Sequence, residues 1–226
     1  MDNGARSHDR RTPVRRRFLI AAPAAVAAVI FPGASRAAGA CLVTDGDILG
    51  PFYRPGAKSM TKMVDANAPG QRIVLTGTVL RPDCKTPVAG ASVDFWHFDD
   101  AGAYDVKTPD EKIAPENYRF RALVQTDANG RFVFETIVPG RYGIPPGLEG
   151  FEKYAGQTRP AHYHITITHP IYLPLTTQIY IKGDPYIAKD PWAKHSHLAL
   201  DVKRSSASAT GAIDIVLANR PGQRRA

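Results

Sequence analysis

The second half of the chain contains one stretch with a plain strand pattern, Arg159-Pro160-Ala161-His162-Tyr163-His164-Ile165-Thr166-Ile167-Thr168. Successive side chains of a strand point to opposite faces, so His162 and His164 share one face while Tyr163 and Ile165 lie on the other. At about 3.3 Å per residue the two histidines stand about 6.6 Å apart, near enough for both imidazoles to reach one metal ion. A half-buried strand whose histidines are merely hydrogen-bonded would show the same pattern, so further ligands must be sought elsewhere in the chain.

Short extended runs separated by Gly, Pro, Asp and Asn turns continue after residue 41, without a sustained helical period. This pattern predicts an all-β fold, a β-sandwich with long functional loops that forms a single domain over residues 41–226. The predicted strands are residues 72–80, 92–97, 120–125, 132–137, 162–168, 177–181 and 212–217. Asp127-Ala128-Asn129-Gly130 predicts a tight hairpin turn between the third and fourth strands. The loops 99–118, 139–161 and 183–200 are rich in Tyr, Pro and charge, and loops on a rigid sandwich commonly carry function.

The first forty residues have the layout of an export signal. Arg15-Arg16-Arg17-Phe18-Leu19 precedes an alanine-rich apolar run, and small residues follow up to residue 40. Arg-Arg-x-Phe-Leu is typical of the twin-arginine route, and about twelve apolar residues are too few to span a bilayer. We therefore expect residues 1–40 to be cleaved, and the mature protein to be periplasmic or extracellular and not an integral membrane protein.

The charge of the chain belongs largely to this segment. Residues 1–40 hold seven Arg and two Asp, a net charge of +5, so the formal +8 of the whole chain falls to +3 for the remainder. No basic patch interleaved with aromatic residues is left, and no nucleic-acid partner is expected.

Cys41 and Cys84 are the two cysteines. In an oxidising compartment we favour a disulfide between them, although lipidation of Cys41 stays open at this point.

Two of the nine tyrosines stand at conspicuous positions in the long loops. Tyr104 follows the Asp99–Ala103 turn at the exit of the second predicted strand, and Tyr142 lies in a segment held by Pro139, Pro145 and Pro146. Taken singly, each would be an ordinary rim residue, because tyrosine readily exposes a polar tip.

Five stretches taken together resemble the intradiol ring-cleavage dioxygenases, non-haem Fe(III) enzymes that open catechols between the two hydroxyl groups. They are Gly50-Pro51-Phe52-Tyr53; Val88-Ala89-Gly90-Ala91-Ser92-Val93-Asp94-Phe95-Trp96-His97 leading to Gly102-Ala103-Tyr104; Phe120-Arg121 to Thr136-Ile137; Arg141-Tyr142-Gly143-Ile144-Pro145-Pro146; and Arg159-Pro160-Ala161-His162-Tyr163-His164 leading into Leu175-Thr176-Thr177-Gln178. They cover most of residues 50–190, and the last stretch is the most specific.

The resemblance implies a site that holds one Fe(III) per chain. The metal ligands it implies are Tyr104, Tyr142, His162 and His164, with Tyr104 and His162 equatorial and the other two axial. Arg159 and Gln178 match the polar residues beside the substrate, and Tyr142 is expected to leave the iron and take a proton from the catechol.

The implied reaction inserts O₂ into a catechol-type ring and gives a cis,cis-muconate-type product. Elementary chemistry agrees with iron, because a phenol of pKa near 10 needs about 4 kcal/mol from the metal to be a phenolate at neutral pH. Zn²⁺ sites usually use Cys, His or carboxylate, whereas two phenolates favour a harder, trivalent ion. The identity of the catechol is open, the pocket walls are expected near residues 48–53 and 104–109, and a homo-oligomer is compatible with the pattern.

Two rival interpretations use the same residues. A cupin-like metal site could take His169 as a third imidazole, but no glutamate follows at the required spacing. His195 and His197 form a second His-x-His pair, which we expect at the surface or rim. The second rival belongs to another functional class: a secreted β-sandwich module could bind phenolics or sugars without catalysis.

Overall fold

The predicted β-sandwich is the fold of the protein. A computed structural model describes residues 41–65 and 67–222, apart from the side chain of His195. The predicted export segment, residues 1–40, lies outside the described residues. The strands are β1 (Arg72–Leu80), β2 (Ser92–Trp96), β3 (Arg121–Gln125), β4 (Arg131–Ile137), β5 (Tyr142–Gly143), β6 (Thr158–Arg159), β7 (His162–Thr168), β8 (Leu175–Ile181), β9 (Ala199–Leu200), β10 (Lys203–Arg204) and β11 (Ala209–Val216). Single 3₁₀ turns occur at Pro115–Asn117, Glu152–Tyr154, Ile187–Lys189 and Ala193–His195.

Two sheets and a short ribbon make up the fold. One sheet has the order β10-β11-β1-β4, the other has the order β3-β2-β7-β8-β9, and β5 pairs with β6. The β1–β11 and β8–β9 pairs are parallel, and the remaining pairs are antiparallel. The sheets meet in a packed core, in which Phe95 of β2 stacks on Phe134 of β4 at a centroid distance of 4.3 Å. The alternation predicted for β7 holds, since Tyr163, Ile165 and Ile167 are fully buried in this core.

All seven predicted strands are present, with ends displaced by up to three residues. Phe120 falls outside β3 because its φ of 52° is left-handed, a conformation that strands do not contain. The strands β5, β6, β9 and β10 are missing from the prediction, since a two-residue strand is too short to show an alternation.

The predicted hairpin between the third and fourth strands is wrong in one respect. The turn exists, with the amide of Gly130 donating to the Asp127 carbonyl at 2.9 Å and Gly130 at φ 69°. The two strands that it joins do not pair, because β3 pairs with β2 and β4 pairs with β1 in the opposite sheet. The turn therefore carries the chain from one layer of the sandwich to the other.

Cys41 and Cys84 form the disulfide that we favoured, with Cα atoms 5.8 Å apart. The bond ties the start of the described chain to the turn that follows β1, and it occupies the sulfur that lipidation of Cys41 would need. Among the described residues, no helix combines the length and apolar character that crossing a bilayer requires.

Candidate metal centre

The two tyrosine loops approach each other through glycines. A Cβ on Gly102 would lie 2.0 Å from the Arg141 carbonyl oxygen, and a Cβ on Gly140 would lie 2.2 Å from the Asp100 carbonyl oxygen. Because neither position leaves room for a side chain, the backbones before Tyr104 and Tyr142 touch directly. The two phenol rings consequently meet edge to face, with centroids 5.6 Å apart.

The register of the strands places the remaining predicted residues. In the short ribbon Tyr142 lies opposite Arg159. In the larger sheet His164 lies opposite Gln178, and His162 lies opposite Tyr180. Directly paired residues share a face of a sheet, so β7 and β8 present both histidines and Gln178 on one surface.

All six predicted site residues come together on this surface. The Tyr104 hydroxyl lies 3.1 Å from Nε2 of His164, and the imidazole centroids of His162 and His164 are 4.9 Å apart. Nη1 of Arg159 lies 3.4 Å from Nε2 of His162. A small pocket adjoins them, and its walls include Ile48, Pro51, Phe52, Tyr104, Tyr142, Leu148, Arg159 and His164. Most of the wall expected at residues 48–53 lines this pocket, whereas Lys107, Thr108 and Pro109 line a neighbouring groove that shares Pro51, Phe52 and Leu148 with it.

His162 is held as a neutral ligand. Its Nδ1 lies 2.7 Å from the Pro160 carbonyl oxygen. A carbonyl can only accept, so the proton sits on Nδ1, and Nε2 keeps a lone pair that faces Nη1 of Arg159 at 3.4 Å. A backbone partner of this kind fixes the tautomer and ring orientation of a histidine ligand.

Arg159 is buried, and its guanidinium has a partner on three sides. Its Nε donates to Asp190 Oδ2 at 2.8 Å, its Nη2 donates to the Tyr180 hydroxyl at 3.1 Å, and the guanidinium lies over the Trp192 ring at 4.5 Å from the centroid. Asp190 is buried too, and it also accepts from the backbone amides of Trp192 and Ala193. The cation is thus paired, as a buried charge must be.

Burial shifts the pKa values of the four side chains predicted to bind the metal. It raises the pKa of Tyr142, and it raises the pKa of Tyr104 with a further contribution from the neighbouring Tyr142 phenol. Burial and then the Arg159 cation hold the pKa of His162 well below its usual range, and the same two causes act on the pKa of His164. All four groups are therefore neutral at pH 7 until a cation stabilises the phenolates.

The donor set fits a hard metal ion. Within the described residues the buried Tyr142 hydroxyl has no hydrogen-bond partner, and an unpartnered buried polar atom calls for an explanation such as an ion. No group of three or more His, Cys, Asp or Glu side chains in the described part of the chain could hold a metal. A metal here must therefore use the phenols, and phenolate oxygen with imidazole suits ferric iron.

A second buried ion pair supports the Tyr104 loop. Arg121 donates through Nε and Nη2 to Asp105, both at 2.9 Å, and Nη2 also donates to the Phe52 carbonyl at 2.8 Å. Phe52 stacks on Tyr104 with centroids 4.4 Å apart. The Arg121 guanidinium therefore holds both Asp105, which follows Tyr104 in the chain, and Phe52, whose ring covers the Tyr104 ring.

The rival histidines do not join the site. His169 lies beyond the end of β7, packs against Tyr172 and accepts the amide of Ile171, so the cupin-like set does not form. His197 is an exposed residue that faces the exposed Asp45 at 3.6 Å, as expected for a surface position. This result concerns His197 alone, because the side chain of His195, the other member of the pair, lies outside the described part of the structure.

Several residues around the site were missed from sequence, namely Asp47, Asp105, Arg121, Tyr180 and Asp190. Tyr180 had a readable signal, since it stands two residues after Gln178 and so shares its face of β8. The carboxylates Asp47 and Asp190 lie in irregular segments, and no pattern in the sequence connects them with Arg159.

Comparisons with known proteins identify relatives of this chain. A family model described as "Dioxygenase" matches residues 48–218. A chlorocatechol 1,2-dioxygenase of Rhodococcus opacus is 38% identical over 71% of this chain and 65% of its own length. Catechol 1,2-dioxygenase 2 of Acinetobacter lwoffii is 35% identical over 65% of this chain and 54% of its own length. The chain thus spans roughly half to two thirds of these curated relatives.

Two solved structures share the fold. The dioxygenase domain of a dioxygenase–carbohydrate-binding fusion from Streptomyces sp. SirexAA-E superposes with a TM-score of 0.63 at 30% identity, covering 79% of this chain and 99% of that one. The 3-chlorocatechol 1,2-dioxygenase of Rhodococcus opacus 1CP has a TM-score of 0.65 at 26% identity, covering 78% and 73%. The protein belongs to the intradiol ring-cleavage dioxygenase family.

Proposed function

We propose that this protein is an Fe(III)-dependent dioxygenase that cleaves a catechol-type ring between its two hydroxylated carbons. The observation that carries the proposal is the convergence of two phenols and two neutral imidazoles beside a fixed guanidinium. Tyr104, Tyr142, His162 and His164 would hold the iron. When bound, ferric iron would supply a Lewis acid that binds the catechol oxygens and favours their ionised form.

The residues of the chain account for proton transfer and charge stabilisation. The Tyr142 oxygen makes no hydrogen bond to the described residues, so in its phenolate form it would be able to take a proton from a catechol hydroxyl. Arg159 is locked beside His162 and can stabilise the negative charge that develops on the ring without reorganising. Gln178 is held by its Nε2, which donates to the Ile48 carbonyl at 3.0 Å, and would border the bound substrate.

A visible absorption spectrum of the iron-loaded protein tests this function. A phenolate-to-iron charge-transfer band that moves to longer wavelength when catechol is added under argon is the expected result, followed by ring opening when O₂ is admitted. A colourless protein that carries stoichiometric zinc, or one that binds catechols without turnover, would favour the binding module instead.

We also propose that the protein is exported by the twin-arginine route and works outside the cytoplasm. The Arg15-Arg16-Arg17-Phe18-Leu19 segment supports this, and so does the Cys41–Cys84 disulfide, because structural disulfides persist in oxidising compartments. Replacing Arg15 and Arg16 by lysine should leave the precursor in the cytoplasmic fraction. Unchanged export of that variant would contradict the proposed route.

A further inference from the structure

Tyr180 contacts both polar residues that border the proposed substrate position. Its hydroxyl accepts from Nη2 of Arg159 at 3.1 Å and lies 3.1 Å from Oε1 of Gln178. It also lies 2.8 Å from Oδ2 of Asp47. The ring is 1% exposed, and β7 places it directly across from His162.

The direction of these hydrogen bonds follows from the donors available. Gln178 donates its amide to the Ile48 carbonyl, which can only accept, so Oε1 is the atom that faces Tyr180. Arg159 can only donate, and a carboxylate can only accept. The single hydroxyl proton of Tyr180 therefore goes to Asp47, since the shorter bond to a charged acceptor is the stronger one.

A directed chain results, from the Arg159 guanidinium through the Tyr180 hydroxyl to the Asp47 carboxylate. Asp47 is only partly buried and lines a polar cleft with Asp45, Thr177, Trp192 and Ser196. A carboxylate that withdraws the phenolic proton makes the phenol oxygen a better acceptor for Arg159. Asp190 holds the adjoining edge of the same guanidinium, since it accepts from Nε at 2.8 Å and from Nη2 at 3.3 Å.

We infer that Tyr180, oriented by Asp47, is a positioning residue that sets the orientation of Arg159 for the reaction. The inference rests on the proposed dioxygenase function. Without the Tyr180 hydroxyl, Nη2 of Arg159 keeps only the long 3.3 Å contact to Asp190, so the guanidinium is held less firmly and can shift about its short Nε bond to Asp190. A misplacement of about 1 Å at such a group lowers turnover by about a hundredfold.

The test is Tyr180→Phe in the full-length, iron-loaded protein with catechol as substrate. We expect kcat to fall by about ten- to a hundredfold while KM and the charge-transfer band of the free enzyme stay near wild type. Tyr180→Phe combined with Arg159→Lys should be hardly slower than Arg159→Lys alone, because both changes act through one group. Asp47→Asn should show a smaller effect of the same kind, since the amide oxygen still accepts.

Tyr163→Phe is the matched control. It removes an equally buried hydroxyl, which donates to the Ile137 carbonyl at 3.1 Å on the opposite face of the sheet. It should leave kcat unchanged and combine multiplicatively with Arg159→Lys. A wild-type kcat in Tyr180→Phe, or an effect that multiplies independently with Arg159→Lys, would overturn the inference.

Nitrogen-15 NMR of the arginine side chains separates this inference from the proposed function. In the iron-free wild type, slow rotation of the guanidinium should keep the Arg159 η-hydrogens resolved, and Tyr180→Phe should broaden them. If the iron-loaded wild type turns over neither catechol nor substituted catechols, the dioxygenase proposal fails, whereas the NMR comparison still decides the positioning role. Identical Arg159 signals in both proteins would refute that role.

Discussion

Tyr142 and Arg159 face each other across the two-residue ribbon of β5 and β6, so one backbone register places both the phenol and the guanidinium at the site. Their side chains are nevertheless held very differently. Arg159 is bound by Asp190 and Tyr180, whereas the Tyr142 hydroxyl has no hydrogen-bond partner among the described residues. The guanidinium is therefore the rigid member of the pair and the phenol is the one able to exchange partners.

Tyr142→Phe should separate folding from catalysis. The change removes a hydroxyl that makes no hydrogen bond within the described structure, so the unfolding free energy of the iron-free protein should change by less than about 1 kcal/mol. The iron-loaded variant should lose part of its visible band and slow by at least about a hundredfold, because a proton acceptor is gone. Urea unfolding, absorption and turnover measure the three effects. Unchanged colour and rate would refute Tyr142 as a ligand.

Asp190→Ala should cost far more stability than the loss of a surface pair. It leaves the Arg159 guanidinium buried without its carboxylate, which costs about 3–5 kcal/mol. Arg141→Ala is the control, because the Arg141 side chain is 48% exposed. Asp184, whose side chain is 5% exposed, still accepts from the amides of Ala161 and Tyr186 once the arginine is gone, so the loss should be about 1 kcal/mol or less. Urea unfolding of the iron-free proteins compares them. Equal losses would show that the Asp190 pair is no better than a surface contact.

Sequence patterns predicted the β7 strand and the placement of its two histidines on one face, because an alternation of period two is a local property, whereas Gln178 came from the family resemblance. The resemblance added Tyr104 and Tyr142, which their loop positions alone could not have distinguished from seven other tyrosines. What sequence could not supply was the partners of Arg159, since Asp190 is 31 residues away in an irregular loop. The close approach of Gly102 to Arg141 is likewise a tertiary contact, which no local pattern in the sequence indicates.

Gly102→Ala should weaken metal binding by separating the two tyrosine loops. The new methyl group would lie 2.0 Å from the Arg141 carbonyl oxygen, so the backbone before Tyr142 must move. Gly183→Ala is a matched control, because Gly183 has φ +84° against +83° at Gly102, but a methyl group there would meet no neighbouring atom within 4 Å. Both variants carry the strain of an alanine at positive φ, about 1 kcal/mol. Iron content after loading should fall in Gly102→Ala alone, and equal iron content in both variants would contradict this account.

His97 should make the stability of the protein depend on acidity. Its Nδ1 lies 2.6 Å from the Phe98 carbonyl oxygen and its Nε2 lies 2.7 Å from the Thr136 hydroxyl, so the buried ring is neutral and accepts from Thr136. Burial lowers the pKa of His97 from 6.5 to about 3.

Between these two values the unfolded chain binds a proton at this histidine and the folded protein does not, so stability falls as the pH falls. The slope contributed by His97 is at most about 1.4 kcal/mol per pH unit, and it vanishes above the unfolded pKa. Urea unfolding from about pH 7 to about pH 4.5 should therefore show a shallower slope in His97→Gln than in the wild type. The same replacement at the exposed His197 controls for the loss of a histidine as such. Parallel slopes in wild type and His97→Gln would mean that the ring is already protonated in the folded protein.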